Sequence, residues 1–127
     1  MQELYYETVL SVPNRALATA GPAGLNVVPV SVVTQDGDDI ILYDFFMEKT
    51  AANIKATGTV SLAVWEGLVG IQLKGLAVYD SESAFYHEAV SAMQERFPER
   101  TLHGIIRCTF TEVYSISAGS EAGQKLH

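Results

Sequence analysis

Cysteine is almost missing from this sequence: Cys108 stands alone. One thiol closes no internal disulfide and builds no tetrahedral zinc cage, so disulfide-stapled scaffolds and zinc fingers are excluded, and a reducing cytoplasm is the expected home. Basic residues are scarce as well. Eight Lys and Arg face fifteen Asp and Glu, for a net charge of −7, which repels phosphate backbones and leaves no basic stripe for nucleic acid. Long apolar runs are missing too, since none approaches the ~18 residues of a membrane helix. The start, MQELYYETVL, carries acids where a secretory leader carries lysine or arginine. These absences predict a soluble protein with neither a membrane nor a nucleic-acid partner.

What is present is enough for a real core. The 127 residues are 48% hydrophobic and 18% charged, which fits a single domain over 1–127 that buries roughly two thirds of its unfolded surface. The end of the chain, 118–127, is polar and is expected to be a flexible tail.

Periodicity gives the elements. Leu4, Tyr5, Val9 and Leu10 recur at helical spacing in Gln2 to Leu10, and Pro13 stops that helix. Arg15 to Gly21 and Leu25 to Gln35 are strand-like, bracketed by the turn signals Gly21-Pro22 and Asp36-Gly37, and Asp39 to Phe46 completes a meander. Glu48 to Gly58 has helix formers and a closing glycine. Thr59 to Gly67 and Leu68 to Asp80 alternate as a strand pair around Glu66-Gly67. Phe85, Ala89, Met93 and Phe97 mark one face of a third helix that Pro98 ends, and His103 to Ser117 is a last long strand. Six strands with short links and three helices predict a mainly β protein, an antiparallel barrel with helices as plugs and covers.

The stretch from Leu25 to Gln35 is apolar on both faces. Val28, Val30 and Val32 lie on one, Leu25, Val27 and Val33 on the other, so both need cover, and a small barrel supplies only its own core. Pro29 removes a ladder hydrogen bond inside this run, as at a sheet edge or bulge. An ordinary edge proline and a backbone left free for a ligand are both compatible with it.

The strongest chemical candidate is Lys49-Thr50-Ala51-Ala52-Asn53, where a strand ends and a helix begins. Unpaired N–H groups and the positive end of the helix dipole suit an anion there, with a lysine, a hydroxyl and an amide beside them. The plain alternative is that Thr50 caps the helix and Lys49 sits in water. His87 has no second ligand at metal spacing, so no metal site is expected. Cys108, between Ile106 and Phe110, reads as a buried inert thiol. Asp36, Asp38 and Asp39 read as solvated turn residues.

The strand LNVVPVSVV, the stretch ILYDFFMEKTAANI with its Lys-Thr-x-x-Asn segment, and LKGLAVYD with Gly75-x-Ala77 occur in the order in which the chain resembles the FMN-binding split-barrel family related to pyridoxamine 5′-phosphate oxidase. The likeness spans about Arg15 to Ser117. It implies a six-stranded antiparallel split β-barrel, a homodimer, and FMN in grooves at the subunit interface. It also implies that Lys49 and Thr50 hold the FMN phosphate with Asn53 in support. Val30 and Ser31 would then run along the isoalloxazine ring, with Asp44 and Phe45 bordering it. Gln72 and Trp65 align only loosely, and Trp65 reads as core or dimer filler. An arginine-rich substrate-phosphate site and an arginine-containing C-terminal motif are not matched, which points away from vitamin oxidation toward a small, minimal family member. The expected function is a flavin-dependent oxidoreductase of unknown substrate. The alternative is a non-catalytic carrier for FMN, haem or a deazaflavin, for which only His87, His103 and His127 offer haem ligands.

Overall fold

The computed structural model describes residues 3–127, and Gln2, counted above in the first helix, lies outside them. The elements in chain order are α1 (Glu3–Ser11), β1 (Asn14–Thr19), β2 (Asn26–Pro29), β3 (Val33–Asp36), β4 (Asp39–Asp44), α2 (Glu48–Thr57), β5 (Thr59–Glu66), β6 (Val69–Asp80), α3 (Ala84–Arg96) and β7 (Gly104–Ser115). All strands join one antiparallel sheet in the order β2-β1-β5-β6-β7-β4-β3.

The mainly β split-barrel architecture expected from the sequence is present, with seven strands in place of six. Leu25 to Gln35, expected as one strand, is two: β2 pairs with β1, and β3 pairs with β4 at the opposite side of the sheet. Pro29 cannot donate to the ladder, and after the Val30 N–H reaches the Arg15 carbonyl at 3.0 Å the chain leaves β1. Only Val30, Ser31 and Val32 separate the two outermost strands, a span of about 13 Å when extended. The sheet must therefore curl until its two sides nearly meet.

Both two-residue hairpins, Asp36↔Asp39 and Glu66↔Val69, place a glycine first in the loop, Gly37 with φ 61° and Gly67 with φ 58°. The next residue has no positive φ, the pattern of a type II′ turn, whose twist matches the strands it joins. In β5, Val60, Leu62 and Val64 are buried and alternate with half-buried Ser61, Ala63 and Trp65. In β7 the inward set switches from Ile106, Cys108 and Phe110 to Val113 and Ser115. The switch is a bulge: Lys74 opposes Glu112 and Gly75 opposes Phe110, leaving Thr111 unpaired.

The sheet has two apolar cores. Leu17, Ile40, Leu42, Leu62, Leu73, Ile106 and Val113 fill the barrel, with α1 closing one end through Tyr6 and Val9. On the outer face Ala89 and Met93 of α3 cover Ile41, Tyr43 and Ile105. Among the described residues no helix covers the outer faces of β2, β1, β5 and β6 in this way: Leu25 is 91% exposed, and Val27, Leu76 and Val78 exceed 60%.

The expectation of a flexible tail meets a docked one. Leu126 N–H donates to the Val113 carbonyl at 2.7 Å, Ser115 N–H to Gln124 and Gly123 N–H to Ser115. This part of β7 lies beyond its pairing with β4, so the tail satisfies backbone groups that would otherwise be unpaired. No helix among the described residues is long and apolar enough to cross a membrane.

Candidate functional site

The chain leaves the sheet twice in the same neighbourhood, at Val30–Val32 between β2 and β3, and at Phe45–Met47 between β4 and α2. The space between these two exits is a cavity of about 600 Å³, lined by Pro29, Val30, Ser31, Phe45, Phe46 and Met47, with Trp65 and two arginines at its sides. That volume is in the range of small-molecule sites. Ser31 N–H has no backbone partner among the described residues, so it is available to a ligand at this rim.

A second cavity of about 710 Å³ shares Phe45, Phe46 and Met47 and extends past Asp44 to Lys55, Tyr79 and His103. Asp44 is only 2% exposed. Its Oδ1 accepts the Met47 N–H at 2.7 Å, which fixes the turn before α2, and its Oδ2 accepts the Tyr79 hydroxyl at 2.5 Å. The Tyr79 phenol crosses β7 to reach it because Gly104 has no Cβ, and one built there would collide with the ring. Burial, and then the Asp44 carboxylate, push the Tyr79 hydroxyl up, which keeps it a donor. Lys55 Nζ lies 4.7 Å from the centre of the same ring.

The residues expected to bind a cofactor divide into three groups. Val30, Ser31 and Phe45 line the first cavity, and Asp44 and Phe45 the second. Lys49 is exposed in the first turn of α2. Thr50 and Asn53 are fully buried on the inner side of that helix. Thr50 Oγ1 accepts from Asn26 Nδ2 at 2.8 Å. Asn53 Nδ2 donates to Thr19 Oγ1 and to the Gly24 carbonyl, and its Oδ1 accepts the Ala23 N–H at 2.9 Å. Both side chains therefore tie α2 to β1, β2 and the turn between them.

Four contributors escaped the sequence reading: Arg15, Lys55, Tyr79 and Arg100. Arg15, Lys55 and Tyr79 sit on β1, α2 and β6, Arg100 in the loop between α3 and β7, and no local spacing marks them. Trp65, read as core or dimer filler, lines the first cavity as well. Cys108 is buried, and burial pushes its thiol up, away from the reactive thiolate.

Residues 5–117 match the family profile described as Pyridoxamine 5′-phosphate oxidase. Among solved structures the fold is similar to Group A Streptococcus HupZ, at 20% identity and a TM-score of 0.77, over 97% of this chain and 99% of that one. It is similar to an FMN-binding protein from Syntrophomonas wolfei, at 19% identity and a TM-score of 0.73, over 92% and 88%. It also resembles HutZ, the haem storage protein from Vibrio cholerae, at 16% identity and a TM-score of 0.65, over 89% and 92%. No curated protein matches the sequence.

Proposed function

The chain belongs to the pyridoxamine 5′-phosphate oxidase family, and from that premise we propose that it binds FMN and works as a small flavin-dependent oxidoreductase. The observation that carries this is the cavity between Pro29–Ser31 and Phe45–Met47. Its walls are apolar and aromatic, as a flat ring requires, and Ser31 offers a backbone N–H at the rim. Lys49, exposed at the start of α2, holds the phosphate by charge. Thr50 and Asn53 act one step back, fixing the helix that presents Lys49. Val30, Ser31 and Phe45 orient the ring, and Asp44 fixes the turn that carries Phe45. Bound flavin supplies the hydride or electron transfer, while these residues supply binding, orientation and exclusion of water.

The same proposal includes a homodimer. Leu25, Val27, Leu76 and Val78 stand exposed on one outer face of the sheet, a patch that a second copy would remove from water. The buried lone thiol suits a reducing cytoplasm.

A haem carrier is the second reading, favoured by His103, which lines the cavity with Tyr79 and Lys55. One titration separates the two. Purified protein given FMN and then NADH or NADPH without oxygen is expected to take up flavin and bleach its visible bands. No flavin uptake, with a Soret band on adding haemin, would favour the carrier.

A further inference from the structure

The second cavity runs along one face of α2 and carries opposite charges two turns apart on it. Glu48 lies in the first turn of the helix and Lys55 in the last, with Ala51 and Ala52 between them in the lining. Seven residues separate the two, about 10 Å along the axis. The third charged group, Asp44, is already committed to the Met47 N–H and the Tyr79 hydroxyl. Lys55 pairs with no carboxylate and makes no side-chain hydrogen bond among the described residues; its Nζ rests over the Tyr79 ring. The His103 imidazole, also in the lining, has no hydrogen-bond partner among them either. Phe46 stands 82% exposed although Phe45 and Met47 on either side of it are buried. A phenyl ring held out over a cavity, on a turn that Asp44 already fixes, is a platform for a flat molecule and has little ordering left to lose on binding one.

We propose that the second cavity is a separate ligand site for a flat apolar molecule bearing a carboxylate, with the anion at Lys55 and His103 and the body against Phe46 and α2. Glu48 sets the direction, since it repels the anion from the other end of the helix face. The inference does not depend on the place of the flavin, because the two cavities have only Phe45, Phe46 and Met47 in common.

Amide resonances tell the cavities apart: Ala52, Lys55, Tyr79 and His103 line only the second, and Val30, Ser31 and Trp65 only the first. The probes are 1-naphthylacetate and 1-naphthylacetamide, alike in shape and different in charge. Wild-type protein, with or without FMN, is expected to show shifts at the second-cavity amides with either probe and to bind the acid about fivefold more tightly, the value of one partly exposed ion pair. Lys55→Met keeps an apolar stem along the Tyr79 ring and should erase the preference. Lys74→Met, which removes an ammonium that lies over the Tyr114 ring elsewhere on β6, should leave it whole. Equal affinities in the wild type, shifts confined to Val30, Ser31 and Trp65, or a preference that survives Lys55→Met overturns the proposal. So does displacement of the acid by FMN, which would give this cavity to the flavin, or by haemin, which would give it to the carrier reading. Acid binding that persists in protein taking up no FMN supports the site and overturns only the flavin assignment.

Discussion

At the scale of single residues, the site divides into groups that face outward and groups that hold them. Lys49 is the outward one. Lys49→Ala should weaken FMN binding by about 2 kcal/mol, roughly 30-fold, the loss of one charge-assisted hydrogen bond, as read by flavin fluorescence. Asn53 is the holder. Asn53→Ala removes three hydrogen bonds, leaving Thr19 Oγ1 buried without its donor, and should cost about 2 kcal/mol in urea unfolding. Two phenols, buried Tyr6 and half-buried Tyr79, set the alkaline limit. Burial pushes the Tyr6 hydroxyl from 10.0 up to about 12, and Tyr79 is raised in the same direction. The folded state keeps protons that the unfolded chain releases, so this contribution is complete below pH 10 and is lost as pH rises toward 12. The urea midpoint should fall across that window, and Tyr6→Phe should make the fall shallower.

At the scale of elements, α1 is held to the barrel by a side chain from the strand that follows it. Arg15 caps the carbonyls of Val9 and Leu10 at the end of the helix. Arg15→Met should loosen α1 at a cost of about 1–2 kcal/mol, seen as faster hydrogen exchange of its amides. The elements themselves were largely legible because each announces itself locally: valine alternation in β5, glycine at the head of two hairpins, proline after two helices. The break between β2 and β3 was not, since the run from Val27 to Val33 is apolar but for Ser31 and only the choice of partner strand changes. The site was legible by halves for the same reason. Val30, Ser31, Asp44 and Phe45, which the resemblance implied, lie at or just past the ends of β2 and β4, whereas Tyr79 meets Asp44 across 35 residues, and Arg100 meets Phe45 from beyond α3. The burial of Thr50 and Asn53 depended on the turn from Gly21 to Gly24 folding under α2, which spacing within the segment does not encode.

At the scale of the whole molecule, the uncovered outer face sets the expected assembly. Val27→Glu or Leu76→Glu places a charge in the patch that a second copy would bury, and should yield a folded monomer where the wild type is a dimer by light scattering. A monomeric mass for the wild type would remove the dimer. The broken strand has a consequence for how the chain folds. Asn14 must meet Trp65, and Ile40 must meet Cys108, before the two sides of the sheet can be drawn together. These are distant pairings, so folding should be slow for a chain of this length. The crossing at Val30–Val32 would be ordered late, because the two hairpins it joins, β1–β2 and β3–β4, wait on β5 and β7 far along the sequence. Once it is made, the outermost strands stand three residues apart, each close to the other rather than presented separately to a neighbouring chain. The two edges that remain, β2 and β3, are only four residues long, and short edges limit edge-to-edge aggregation once that last step is made.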